Sequence, residues 1–185
     1  MKRLLFAPLL ALLLSCAGLS QPSNTSAYNQ GVEAWRAKNY AEARRQWTRS
    51  LAEGGSDLAL NNLAFLLYEG LGGEAQPERA VELWRKGAAL SVSEAQWHLG
   101  QAYEAGKGVG RDPVQAYAWY LCAVATASLV SGEDSIERAI EADARRSASL
   151  VAGRLSASDQ DRAKEISKQL IGRYSRRLTL REKDD

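Results

Sequence analysis

Apolar and small residues recur from residue 27 onward at intervals of three and four positions, with polar residues between them. This spacing places the apolar side chains on one face of an α-helix, which completes a turn every 3.6 residues. The pattern predicts helices over residues 27–37, 40–52, 57–69, 77–90, 93–105, 113–128, 134–155 and 158–174. Because the spacing is helical throughout, we predict an all-α protein.

Turn-forming residues stand where these helices would begin and end. Gly70 and Gly106 follow helices at positions that suit a left-handed residue, a conformation that glycine adopts without strain. Pro77 and Pro113 stand at the first position of a helix, where proline removes no hydrogen bond. Asp112, directly before Pro113, can accept hydrogen bonds from the free amides of the first turn. These residues support the predicted boundaries.

A period of 36 residues relates the second pair of predicted helices to the third. Four pairs of residues show it: Leu63 and Leu99, Gly70 and Gly106, Pro77 and Pro113, and Trp84 and Tyr120. A shorter unit precedes them, since Ala43 and Trp47 stand 37 residues before Ala80 and Trp84. A fixed period of this length is typical of stacked repeats. We therefore predict about three antiparallel two-helix repeats over residues 27–128.

The third unit carries a spaced set of small, aromatic and glycine residues. It reads Ala95-x-x-x-Leu99-Gly100-x-x-Tyr103-x-x-Gly106-x-Gly108, followed by Asp112 and Ala116-x-x-Trp119-Tyr120-x-x-Ala123. This pattern resembles the Sel-one-like repeat (SLR), and the second unit is similar to it as well. The first unit has no glycine-rich loop and resembles the related tetratricopeptide repeat. The resemblance implies an α-solenoid that acts as an adaptor between proteins.

The region after the repeats predicts a C-terminal helical cap over residues 129–175. A stack of repeats needs a cap, because its last unit has no neighbour to bury its apolar face. The first capping helix is expected to turn four residues inward: Ile136, Ile140, Leu150 and Val151. Ser158, with Asp161 three positions on, is expected to cap the second helix. Residues 176–185 form a charged tail that we expect to be frayed.

The amino terminus has the pattern of an export signal. Lys2 and Arg3 precede an apolar run over residues 4–14, which is shorter than the about 20 apolar residues of a membrane span. The segment that ends in Ser15-Cys16 resembles the lipobox of bacterial lipoproteins, in which the cysteine is acylated and becomes the first residue.

This resemblance implies a signal peptide over residues 1–15, lipidation of Cys16 and a flexible polar tether over residues 16–26. Ala17 stands where such lipoproteins can carry an aspartate that retains them at the inner membrane. We therefore expect a lipid-anchored envelope protein at the outer membrane, facing the periplasm. A plain signal peptide cut elsewhere and an uncleaved anchor are the alternatives.

The charge balance argues against a nucleic-acid partner. Loss of Lys2 and Arg3 with the signal peptide leaves 22 basic and 22 acidic residues. A protein that binds phosphate groups needs a basic excess on one face. The expected membrane contact is made by the N-terminal lipid alone.

The chain offers little material for catalysis or for a metal. His98 is its only histidine, and Cys122, expected to be a small buried residue, is the only cysteine besides Cys16. These residues cannot supply the three or four nitrogen and sulfur ligands of a zinc site. The sequence predicts no cofactor, no metal site and no enzyme activity. A hydrolase that uses His98, with Cys122 as nucleophile, is the minor alternative.

The surface most suited to binding is the row of first helices, which solenoids of this family present along a concave face. Asn62 and His98 are equivalent in the 36-residue register, and their side chains could hydrogen-bond an extended backbone there. The expected partner is a protein or an extended peptide segment. Both side chains could instead bond only to neighbouring helices. Trp35 and Trp97, outside the repeated aromatic position, leave open a site for a cell-wall glycan or peptide.

Overall fold

A computed structural model describes residues 26–130 and 135–181, and all regular elements in these two ranges are α-helices. They are α1 (Ala27–Arg36), α2 (Tyr40–Ala52), α3 (Leu58–Glu69), α4 (Pro77–Ala89), α5 (Ser93–Ala105), α6 (Pro113–Val130), α7 (Ser135–Ala152) and α8 (Ala157–Arg181). The predicted all-α solenoid is confirmed. The predicted signal peptide, the lipidation site Cys16, the tether up to residue 25 and the predicted helix start at residue 134 lie outside the described residues.

The helices form three successive hairpins followed by two capping helices. α1 packs on α2, α3 on α4 and α5 on α6, while contacts of α2 with α3 and of α4 with α5 stack the hairpins in order. The long helix α6 then contacts both α7 and α8. The cap is therefore built on the second helix of the last repeat, whose apolar surface has no following repeat to cover it.

Buried aromatic residues hold each hairpin together. Trp47, Trp84 and Tyr120 are 2%, 1% and 1% exposed, as their shared position in the repeat suggests. A Cβ atom added to Gly31 would lie 2.4 Å from the ring of Trp47, and one added to Gly100 would lie 2.4 Å from the ring of Tyr120. In the first and third hairpins a glycine of the first helix thus makes room for the aromatic ring of the second.

The predicted helix punctuation is confirmed. Gly70 and Gly106 end α3 and α5 with φ of +71°, in the left-handed region. The Oδ1 atom of Asp112 accepts hydrogen bonds from the backbone amides of Val114 and Gln115 at 2.9 and 3.0 Å. The two glycines end the first helix of the second and third hairpins, and the hydrogen bonds of Asp112 start α6 at its proline.

The cap of α8 differs from the prediction. Ser156, and not Ser158, accepts a hydrogen bond from the amide of Asp159, at 3.1 Å, and its hydroxyl also contacts that carboxylate at 2.9 Å. Both serines have an aspartate three positions later, so the local pattern fits two alternative caps. The backbone turn that ends α7 brings the earlier serine to the helix start.

Helix α8 is also longer than predicted. The helix ends at Arg181. Residues 176–181, the first part of the tail predicted over residues 176–185, therefore continue the helix and are not frayed in the structure. The segment after Gly172 contains arginine and leucine and neither glycine nor proline, a composition that favours continuation of a helix.

Only two of the four residues predicted to face inward on α7 are buried. Ile140 and Val151 are buried, but Ile136 and Leu150 are 67% and 59% exposed, and their predicted inward orientation is wrong. Ile140 and Val151 are about three turns apart and share a face, whereas Leu150 is rotated by about 100° from Val151. Ile136 shares the face of Ile140, but it lies in the first turn of α7, where that face is open.

Candidate functional site

A groove of about 850 Å³ runs across the first helices of the three hairpins. We call it the groove; its lining comes from α1, α2, α3, α5 and the loop after α3, and includes Trp35, Asn61, Phe65, Glu94, Trp97 and His98. A cavity of this size, with apolar walls and a few polar groups, is typical of binding sites.

The lining of the groove follows the repeat. Asn61 and Trp97 are 36 residues apart and both line it, as do Phe65 and Gln101, one helical turn further on. Sequence reasoning missed Asn61 and Gln101. The 36-residue register could have found them. Asn61 and Trp97 form the pair one residue before Asn62 and His98, and Gln101 lies four positions after Trp97, on the same helix face.

Both predicted site residues, Asn62 and His98, line the groove. They differ in accessibility, because Asn62 is partly exposed and His98 is only 5% exposed. The His98 ring stacks on Trp84 with 4.8 Å between ring centroids, and Phe65 and Trp97 lie 5.6 and 5.1 Å away. His98 therefore offers a partner little accessible surface, whereas Asn62 is more accessible from the groove. That either residue contacts a partner stays a prediction.

Trp35 and Trp97 line the same groove, and both are partly buried. Trp35 lies 5.8 Å from Phe65, centroid to centroid, in edge-on contact. Trp97 donates its Nε1 hydrogen to Ser147 Oγ of α7, at 3.3 Å. Their rings and the polar groups between them form one cleft, which is the arrangement that the alternative of a glycan or peptide ligand requires.

Glu94 is one of the polar groups that line the groove. Its Oε2 atom accepts a hydrogen bond from Asn61 Nδ2 at 2.8 Å. Burial, together with the nearby charge of Glu137, raises the pKa of this carboxyl above its usual value. Sequence reasoning did not single out Glu94, because a glutamate in the first turn of a helix is expected there for its interaction with the helix dipole.

His98 is held as a neutral ring. Its Nδ1 atom lies 2.8 Å from Gln101 Oε1, and its Nε2 atom lies 3.9 Å from Glu94 Oε1. Burial lowers the pKa of His98 to about 4, because the low-polarity surroundings disfavour the charged imidazolium.

The geometry around His98 and Cys122 bears on the hydrolase alternative. The ring nitrogens of His98 face a carboxamide and a carboxylate, neither of which is the hydroxyl or thiol nucleophile of a hydrolase. Burial raises the pKa of the Cys122 thiol to about 12, so this sulfur is protonated at neutral pH. Across the described residues, no three His, Cys, Asp or Glu side chains cluster as metal ligands.

The comparisons with known proteins agree with this architecture. The protein family described as "Sel1 repeat" matches this chain twice, over residues 57–92 and 93–125. The first match spans α3 and α4, and the second spans α5 and most of α6. Two successive segments of the chain are therefore similar to the Sel1 repeat. The first hairpin, α1 and α2, lies before both matches. Proteins built from Sel1 repeats generally act as scaffolds for interactions between proteins.

Two solved structures show the same fold. One is a protective antigen present in uropathogenic Escherichia coli strains and described as displaying an SLR fold; it is 25% identical over 85% of this chain, with a TM-score of 0.68. The other is a Sel1 repeat protein from Oxalobacter formigenes, 31% identical over 56% of this chain, with a TM-score of 0.52. The match covers only 32% and 41% of those two proteins. No curated protein gives a significant match.

Proposed function

We propose that this chain is a lipid-tethered envelope protein that acts as an interaction scaffold or adaptor and binds a segment of a protein partner in the groove. The observation that carries the proposal is the groove itself, in which aromatic rings and hydrogen-bonding side chains from three successive first helices converge. The general role of Sel1 repeats as scaffolds supports it.

The groove suits a short extended segment better than a broad protein surface. Its aromatic walls can bury apolar side chains, and the Asn62 amide can donate to and accept from a peptide backbone. The groove is built on packed helices, so little ordering is needed when a segment binds. We expect modest affinity, because a single segment buries a limited area.

The proposed location depends on residues 1–16. Lipidated Cys16 would hold the protein at the membrane through buried methylene groups, each contributing about 0.8 kcal/mol. The tether would leave the repeats free to reach a periplasmic partner, and Ala17 favours the outer membrane. None of the described helices is long and apolar enough to cross a bilayer.

Replacing Cys16 with alanine is expected to abolish acylation. The wild-type protein should incorporate a labelled fatty acid in cells and sediment with membranes, whereas the Cys16→Ala variant should not incorporate the label. Cys122→Ala is the matched control and should keep the label, because Cys122 is buried in the repeats. A Cys16→Ala protein that is still acylated would rule out the proposed anchor.

Binding in the groove is testable by site-specific photocrosslinking in cells. A photoreactive amino acid at Asn62, in the groove, is expected to capture a defined partner, whereas the same group at Glu82, exposed on α4, is expected not to capture it. Unlabelled Asn62→Ala protein should compete for the partner less well than wild type. Its thermal unfolding should match wild type, since the side chain is partly exposed.

Equal capture from both positions, or capture from Glu82 alone, would place the interaction on another face and refute groove binding. Absence of a captured protein at Asn62 would also count against the scaffold role.

A cell-wall glycan or peptide is the second candidate ligand. The observation that favours it is the placement of Trp35 and Trp97 in one cleft with polar groups. Tryptophan fluorescence of the purified repeats, titrated with soluble cell-wall fragments, distinguishes the two functions. A saturable change that Trp97→Ala removes would favour this candidate over a protein segment.

A further inference from the structure

The charged groups that line the groove are all acidic. They are Glu69 and Glu94, and no lysine or arginine from the described part of the chain joins them in the lining. Lys107 approaches Glu69 to 3.9 Å from the glycine-rich loop after α5 while its ammonium group stands 4.0 Å over the ring of Tyr68. Glu94 has no such cation at an ion-pair distance among the described residues, and its side chain is 41% exposed. A ligand with a negative charge would be repelled here, and a positive charge would be attracted.

Two hydrogen-bond acceptors face each other in the groove, the Nε2 atom of His98 and the Oε1 atom of Glu94. Gln101 Oε1 can only accept, so the Nδ1 atom of neutral His98 carries the ring proton and its Nε2 atom is a bare acceptor. Nε2 lies 3.9 Å from Glu94 Oε1, which is too long for a hydrogen bond between the two. A donor group placed between them could satisfy both atoms.

A third acceptor stands next to this pair. Asn61 is 3% exposed, and its Nδ2 atom is committed to Glu94 Oε2. Its Oδ1 atom is buried and has no hydrogen-bond partner within the ranges that the structure describes. An unsatisfied buried acceptor is destabilising, and Asn61 is one of the residues that line the groove.

The three acceptors around Glu94 define the ligand chemistry. An ammonium group has three N–H donors and a guanidinium group has five, and neither accepts. A neutral amide or hydroxyl brings an acceptor that would face further acceptors here. The Trp97 ring, which lines the groove on the same helix, can also attract a cation through its π face.

We infer that the groove binds a lysine or arginine side chain of the partner segment, with Glu94 and His98 Nε2 as its acceptors and Asn61 holding Glu94 in place. This inference rests on the proposed function, because it names the chemistry of the segment bound in the same groove. Apolar residues of the segment would then pack on Trp35 and Phe65.

The probes are three acetylated, amidated pentapeptides, Leu-Ala-X-Ala-Leu, in which X is Arg, Gln or Glu. Their binding to the isotope-labelled full chain is followed by the NMR signals of the tryptophan indoles. The Arg peptide is expected to bind at least about tenfold more tightly than the Gln peptide, with the Glu peptide weakest, and to shift the Trp97 signal. Its binding should weaken as salt is raised.

Glu94→Gln is expected to reduce binding of the Arg peptide by at least about tenfold and to leave the Gln peptide almost unchanged. The substitution keeps an acceptor for Asn61, and unfolding curves of the variant check that the repeats remain folded. Glu82→Gln, an exposed change on α4, is the matched control and should bind all three peptides as wild type does.

Equal affinity for the three peptides, no binding of any of them, or no effect of Glu94→Gln would overturn the inference. The scaffold role is judged separately, because photocrosslinking from Asn62 does not depend on the charge of the partner. If a partner is captured from Asn62 but Glu94→Gln does not change peptide binding, groove binding stands and only the inferred cationic side chain is refuted.

Discussion

The Trp84→Ala variant is expected to lose about 3–5 kcal/mol of the free energy of unfolding, the range seen when a buried tryptophan is truncated. Trp84 is 1% exposed and joins three helices. Its ring lies 4.9 Å from Tyr68 of α3 and stacks at 4.8 Å on His98 of α5, centroid to centroid. Truncation would leave a cavity at the junction of the second and third hairpins. Because neighbouring repeats are stabilised by their shared interface, the loss should affect the whole array.

Circular dichroism during thermal and urea unfolding measures this effect. A change of 1 kcal/mol shifts Tm by about 2–4 °C in a protein of this size, so we expect a decrease of roughly 6–20 °C. Trp84→Phe should be much milder, because the Nε1 atom of Trp84 has no hydrogen-bond partner among the described residues and phenylalanine retains most of the packing. Leu129→Ala, at a position 67% exposed, is the control and should change stability by less than about 0.5 kcal/mol. If Trp84→Ala behaved like Leu129→Ala, the contacts of Trp84 with Tyr68 and His98 would not stabilise the array.

Stability is expected to fall between pH 6.5 and pH 4 because of His98. In the unfolded chain a histidine has a pKa of about 6.5, whereas burial lowers the pKa of folded His98 to about 4. In this window the unfolded chain binds a proton that the folded chain does not, so stability decreases as the pH falls, by about 1.4 kcal/mol per pH unit. The total decrease in the free energy of unfolding is about 3 kcal/mol, and it is complete once the pH is below the pKa of folded His98.

The measurement is the free energy of unfolding in urea at pH 7, 6, 5 and 4, for wild type and for His98→Gln. Glutamine does not titrate, so its stability should depend less steeply on pH. Carboxylates titrate in both proteins, including Glu94, which faces the ring at 3.9 Å, so the difference between the two curves isolates His98. Parallel curves would show that His98 is accessible to protons in the folded state, contrary to its burial.

Part of the groove could be read from the sequence. The 36-residue register paired Asn62 with His98, and both line the groove, because a position on the first helix of one repeat faces the same side in the next. Sequence reasoning left open whether they face a partner or neighbouring helices. The structure separates the two: Asn62 is partly exposed, while the His98 ring is stacked between its neighbours.

The rest of the site could not be found from the sequence. Asn61 and Glu94 are 33 residues apart, and their contact at 2.8 Å depends on how α3 and α5 lie beside each other. Glu137, whose charge acts on Glu94, comes from the cap, a further 43 residues along the chain. Neither spacing follows the 36-residue period, so the pattern of the repeats gives no signal for these contacts.

The sequence by itself determined the helices, their pairing in hairpins and the stacking of those hairpins. These features follow from apolar spacing, from glycines and prolines at helix ends and from a fixed period, all of which act within one or two repeats. Only the tertiary structure decided that α8 is capped by Ser156, that Leu150 is exposed, and which side chains meet in the groove. Those outcomes depend on the distances and rotations between packed helices, which are set by side-chain packing across the whole array and differ between positions only one residue apart.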